Sequence, residues 1–196
     1  MKLIINIVSS LIGILLLVFL GAGLFSAKEF NGEVSDTILA PPQDLWAILS
    51  TPEKRKSRLS LDKITGNEQN SLGFQKWVEH KNGHTARYEI LAYSQPFNLT
   101  LALMDSSEGM RGLWTYTLSS DDGIHTKLTI HEKSQLSDFT KRSIATLKGR
   151  KSGLHAELHS IKAGLRKQAL STPNTATTSD TEENPEADVT DNTETQ

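Results

Sequence analysis

Two histidine pairs and four charged residues in extended segments are the side chains whose type and spacing come nearest to chemistry. His155 and His159 stand one helical turn apart, a spacing that can seat a metal ion. A zinc-protease helix needs Glu directly after the first His, whereas here Ala156 follows and Glu157 comes next. Both histidines flank Leu154 and Leu158, so they read as the solvated border of an apolar stripe. His80 and His84 straddle Asn82-Gly83 without a third ligand nearby. No metal and no cofactor is expected. Glu79, Arg87, Glu89 and Glu132 fall in strands and could enter a cavity as acid, base or polar anchor. Cross-strand charge pairing on a wet face accounts for them equally well. There is no Gly-x-Ser-x-Gly elbow for a hydrolase and no phosphate-binding glycine motif. The 196 residues include no cysteine, which excludes disulfides, thiolate metal sites and cysteine nucleophiles. No residue is assigned a catalytic role on this basis.

Charge is unevenly distributed. Of the 21 basic residues only Lys2 precedes residue 28, and of the 23 acidic residues seven follow residue 170, which leaves the middle at net +4. That excess could favour an anionic membrane surface. It lacks the clustered basic footprint of a nucleic-acid binder, so no nucleic acid is expected as partner. From Ser171 onward Thr, Asn, Asp, Glu, Pro and Ala dominate and Val189 is the only sizeable apolar residue. Such a segment cannot offset its ordering entropy, and a disordered acidic tail is expected.

Leu3 to Phe25 carries no charge. As a helix it would be roughly 34 Å long, enough to cross a hydrocarbon core of about 30 Å. A cleaved signal peptide has a shorter apolar core and a small-x-small end. Here Phe25 stands where a small residue should precede Ala27, so the segment reads as a retained single-pass anchor. Lys2 and the amino terminus against a lone Lys28 favour the amino terminus inside and the domain on the non-cytoplasmic side.

Elements follow in order. Glu33–Leu39 reads as a strand closed by Ala40-Pro41-Pro42, and Gln43–Leu49 as a short helix with Leu45, Trp46 and Leu49 on one face. Thr51-Pro52-Glu53 starts a second short helix with a basic surface. Strand-length segments then recur at 74–80, 85–93, 99–104, 112–118 and 126–130, separated by Asn82-Gly83, Pro96 and Asp121-Asp122-Gly123. Asp138 caps a long helical stretch with Leu154, Leu158, Ile161 and Leu165 on one stripe, and Gly149 and Gly153 place a kink or break near Arg150. The layout is α+β: an antiparallel meander curved onto a C-terminal helix, with one N-terminal transmembrane helix. The expected divisions are an anchor at 1–28, a domain at 29–170 and the tail at 171–196.

Glu33-Val-Ser-Asp-Thr-Ile-Leu-Ala-Pro-Pro-Gln-Asp-Leu-Trp-Ala-Ile-Leu49 resembles the opening of START-like proteins, the SRPBCC superfamily, and within it the bacterial polyketide cyclase/dehydrase and lipid transport group. Gly112-Leu-Trp-Thr-Tyr-Thr-Leu118 followed by Gly123-Ile-His-Thr-Lys-Leu-Thr-Ile-His-Glu132 resembles that group's Gly-x-Trp-x-Tyr hairpin and Gly-Thr-x-Leu-Thr strand. Ser50–Ser60 departs from it by lacking the aromatic and Asp positions often found there. The resemblance spans about residues 30 to 168. It implies a helix-grip fold, a seven-stranded sheet curled round a long helix with a cavity between them. Such cavities hold sterols, lipids, polyketides or other apolar molecules.

The expected partner is therefore an apolar small molecule or lipid, with the membrane held through Leu3–Phe25 and a bacterial inner membrane as the setting. The expected cavity wall is Trp46, Phe74, Val78, Tyr88, Ile90, Leu101, Trp114, Tyr116, Leu154 and Leu158. Three functions stay open: a tethered binder or carrier, a cyclase- or hydratase-like enzyme using cavity carboxylates, and an accessory protein with a filled core. An open apolar cavity favours the first, converging charges the second, a packed interior the third.

Overall fold

The computed structural model describes residues 1–171; the acidic tail expected beyond that lies outside the described residues. The order is α1 (Lys2–Phe25), β1 (Glu29–Leu39), α2 (Pro42–Ser50), α3 (Pro52–Leu59), β2 (Lys63–Gln69), β3 (Gln75–Lys81), β4 (His84–Ser94), β5 (Asn98–Ser106), β6 (Met110–Ser119), β7 (His125–Leu136), α4 (Phe139–Lys148) and α5 (Ser152–Ser171). The seven strands form one sheet in the order β1-β7-β6-β5-β4-β3-β2, antiparallel at every pair. The first strand thus returns beside the last, and α2 and α3 are inserted in the crossing from β1 to β2.

The alternation in the strands decides which face is covered. On β6 Trp114, Tyr116 and Leu118 point toward the helices while Arg111, Leu113 and Thr117 are exposed; on β7 Leu128 and Ile130 are fully buried on the same side. Against them α5 sets Leu154, Leu158 and Ile161, with Leu45 and Leu49 of α2 closing one end. This is the apolar stripe covering the one apolar sheet face that a helix of this pattern needs. Shifts of register within the β4–β5 pair, between Arg87 and Tyr88 and again between Ile90 and Ala92, interrupt its ladder. Bulges of this kind bend and twist a sheet. Gly112 lies where β6 and β7 approach so closely that a Cβ would sit 2.7 Å from the Lys133 carbonyl oxygen.

The break near Arg150 is present. Asp138 caps α4 by accepting a hydrogen bond from the Lys141 backbone N–H at 2.8 Å, and Gly149 ends it at a φ of +83° that other residues rarely adopt. The C-terminal stretch is therefore two helices, with α4 displaced from the sheet. The sequence reading contained no strand at 63–69, and the structure adds β2 there as the far edge. The basic surface expected of the second short helix is also corrected: Arg55 and Arg58 are buried, and only Lys54 and Lys56 keep the charge outward. Ile4–Phe25 of α1 is long and apolar enough to cross a membrane.

Candidate functional site

On the inner face of β6, Met110, Trp114 and Tyr116 line an elongated cavity of about 650 Å³, a size typical of small-molecule sites. At about 3.4 Å per residue, those six steps of strand span roughly 20 Å. Leu101 and Tyr88 continue the wall across the sheet, Glu132, Ser134 and Leu136 along β7, and Phe30 from β1. The opposite side and the mouth are made by Ile144, Ala145 and Lys148 of α4, Gly149 and Arg150 at the helix break, and Gly153 of α5. The break at Gly149 thus creates the opening: a continuous helix would carry α4 along the sheet instead of leaving space beneath it.

The inner end is polar and tightly organised. Arg55 donates from Nε to Glu79 Oε1 at 2.8 Å, and Trp77 Nε1 donates to the same oxygen at 3.0 Å. The Arg55 guanidinium lies 4.9 Å from the Tyr88 ring centroid, and Tyr88 stacks on Trp77. Beside it Arg58 donates to Glu157 Oε1 at 3.0 Å and to Ser160 Oγ at 2.5 Å, and Tyr116 donates its phenol proton to Glu157 Oε1 at 2.9 Å. Two guanidinium groups and two carboxylates make this cluster neutral as a whole. Among the described residues two buried donors of this cluster have no partner, Nη1 of Arg55 and Nε of Arg58. Because Arg55 is on the cavity wall, an acceptor oxygen of a bound molecule would satisfy it.

Electrostatics follow from burial and pairing. Burial pushes the Glu157 carboxyl up, but Arg58 and Arg55 outweigh it and hold it below the usual carboxylate range. Burial works against the Arg55 charge, yet Glu79 keeps it firmly protonated. Burial raises the Tyr88 and Tyr116 phenols, and Glu157 adds to the effect at Tyr116, so both stay neutral. Glu132 differs. It lines the cavity with Ser134 Oγ donating to it at 2.5 Å, and burial raises its pKa.

Of the ten residues expected in the wall, Tyr88, Leu101, Trp114 and Tyr116 line the cavity. Ile90, Leu154 and Leu158 are packed in the core instead. Trp46 and Phe74 pack edge-to-face on Tyr93, away from the opening. Val78 faces the other side of the sheet, because its neighbours Trp77 and Glu79 take the inward parity. Among the charged strand residues Glu79 and Glu132 point inward. Arg87 instead faces Asp105 at 3.7 Å on the surface, and Glu89 accepts from Asn70 at 2.5 Å. His155 and His159 are exposed, His80 meets Thr65, and His84 faces Glu108 at 3.6 Å. Among the described residues no group of three or more His, Asp or Glu side chains is placed to hold a metal ion.

The sheet order, the long closing helix and the cavity between them decide the comparison with solved structures. An aromatase/cyclase from Streptomyces sp. R1128 superposes with a TM-score of 0.59 at 12% identity, over 72% of this chain and 96% of that one. This chain has the START-like, helix-grip fold. A START superfamily protein from Mycobacterium smegmatis matches with a TM-score of 0.53 at 8% identity, over 70% of this chain and 98% of that one. A norcoclaurine synthase from Thalictrum flavum matches with a TM-score of 0.51 at 12% identity, over 72% and 96% of the two chains. No family model and no curated protein matches the sequence. At these identities the shared property is the helix-grip architecture.

The residues that sequence reasoning missed are Arg55, Arg58, Glu157 and Arg150. A signal existed for three of them. Pro52, Arg55 and Arg58 recur at steps of three on one face of α3, and Glu157 adjoins Leu158 on the apolar stripe of α5.

Proposed function

We propose that this chain is a membrane-anchored START-like domain that binds or carries an apolar small molecule or lipid. The observation that carries the reading is the elongated, largely apolar cavity along β6 whose inner end offers the unused Arg55 Nη1. The cavity favours a long apolar body ending in a neutral acceptor such as a carbonyl or hydroxyl oxygen. A full negative charge would unbalance the neutral cluster of two arginines and two glutamates. Lys2 beside the amino terminus supports a domain on the non-cytoplasmic side of a bacterial inner membrane. The test of binding is titration of the purified full chain in detergent micelles with a neutral, environment-sensitive apolar fluorophore. Ala145→Trp, which fills the cavity at its α4 wall, should abolish saturable binding, and Ile124→Trp on the far turn should leave it intact. Equal, non-saturable signals from all three proteins would reject the reading.

One observation favours a second reading, that of a cyclase- or hydratase-like enzyme. Glu132 is a carboxyl beside the cavity whose pKa burial raises, the direction of shift that suits a general acid. Its discriminating property is turnover: a carrier returns its ligand unchanged, whereas an enzyme returns a product of altered mass.

A further inference from the structure

We infer that the cavity opens directly onto the membrane surface, so that its ligand passes between bilayer and cavity through a portal framed by α4 and the α4–α5 break. The inference rests on the proposed binding of an apolar ligand and adds where that ligand comes from. Four observations place the portal.

The anchor and the domain are joined without a flexible tether. Only residues 26–28 separate α1 from β1. Gly23 is buried against Phe139 and Ser143 of α4, where any Cβ would collide with both. Further along, Thr146 donates to Ser26 Oγ at 2.9 Å, and Arg150 donates to Ser26 Oγ and to the carbonyl oxygens of Ala27 and Glu29. Gly23 meets the start of α4 and Ser26 meets its end, so the two helices run side by side in the same direction.

This pairing fixes the depth of the mouth. Gly23 is two residues from the end of the apolar span Ile4–Phe25, which is about 3 Å along a helix. Ser143 meets Gly23 and Thr146 meets Ser26, so the middle of α4 is level with the boundary of the hydrocarbon core and its last residues enter the headgroup layer, which extends roughly 5–7 Å beyond it. Lys141, Ile144, Ala145 and Lys148 line the cavity from this helix. The mouth consequently lies at the boundary between hydrocarbon core and headgroups.

The exposed part of α4 beside the mouth has the composition of an interfacial helix. Ile144 and Leu147 are 41% and 57% exposed in water, an unfavourable placement that lipid contact would relieve. Beside them Lys141, Lys148 and Arg150 line the mouth. Glu108 faces Lys141 at 3.8 Å, and among the described residues no ion pair to a carboxylate is formed by Lys148 or Arg150. The rim is net positive, which suits anionic headgroups.

The chain has no cysteine, so single labels can be placed without background. The test is electron paramagnetic resonance of spin labels at Ile144→Cys and Leu147→Cys in the full chain, held in nanodiscs of equimolar phosphatidylcholine and phosphatidylglycerol. Ile124→Cys is the control, at the opposite end of β7 roughly 40 Å away. The expected result is that oxygen relaxes the labels at 144 and 147 more than a water-soluble nickel chelate does, with the order reversed at 124. Nickel-dominated relaxation at 144 and 147, as at 124, would overturn the portal while leaving the cavity-binding reading intact. Failure of the fluorophore titration would sink that reading wherever α4 lies.

Discussion

At the scale of single residues, the cavity holds two carboxyl groups with opposite behaviour. Glu157 is held charged by Arg58 and Arg55 and receives the Tyr116 proton, so its loss strands partners of both kinds. Glu157→Ala should cost about 3 kcal/mol by leaving a buried guanidinium without its counter-ion; urea midpoints of the variant and of Glu157→Gln, which keeps acceptors for Arg58 and Tyr116, would show the larger loss in the Ala form. Glu132 has the reverse signature. Burial raises its folded pKa above the ordinary 4.5, so the folded protein binds a proton that the unfolded chain releases. Stability should accordingly fall as pH rises from 4.5 toward the raised native value and then stop falling. Glu132→Gln should flatten that part of the profile, read as denaturation midpoint against pH, and an unchanged slope would mean that Glu132 is charged in the folded protein.

At the scale of elements, what could be read from sequence depended on whether a residue's partner was local. The helices α2 and α5 and strands β3 to β7 announce themselves through apolar spacing within their own segments, and Gly149 marks the break by its own chemistry. The edge strand β2 offers no such pattern: Lys63–Gln69 has Ile64 as its only large apolar residue and is almost wholly exposed. The arginines of α3 read as surface charge because the glutamates that neutralise them lie 24 and 99 residues away along the chain. The four expected residues that line the cavity, Tyr88, Leu101, Trp114 and Tyr116, sit on inner strands where parity fixes direction. Leu154 and Leu158 each follow a cavity-lining residue, Gly153 and Glu157, and the helical step of about 100° turns them into the packed core instead. The α1–α4 contact carries a prediction at this scale. Gly23→Leu cannot be accommodated against Phe139 and Ser143. Hydrogen exchange by the full chain in nanodiscs should speed up in residues 139–148 and stay unchanged in β6 and β7, since α4 makes few contacts with the sheet. Equal protection of α4 in both proteins would argue that α1 and α4 are not packed together.

At the scale of the whole molecule, the two ends of the sheet differ in what they meet. The end holding Leu39 and His125 faces away from the span, and the end holding Glu29 and Leu136 meets it. The cavity runs between a neutral ionic cluster under the sheet and a basic rim beside α1, a polarity that fits the proposed binding of an apolar molecule with one acceptor atom. Photolabelling tests this account most directly. The full chain in nanodiscs would be irradiated with a neutral apolar probe carrying a diazirine at one end, and the labelled peptides identified by mass. The account predicts adducts on Leu101, Trp114 or Tyr116, suppressed by excess unlabelled probe and absent from Ala145→Trp. Adducts confined to α1 and to the exposed outer face of the sheet, unaffected by either competition or Ala145→Trp, would contradict it.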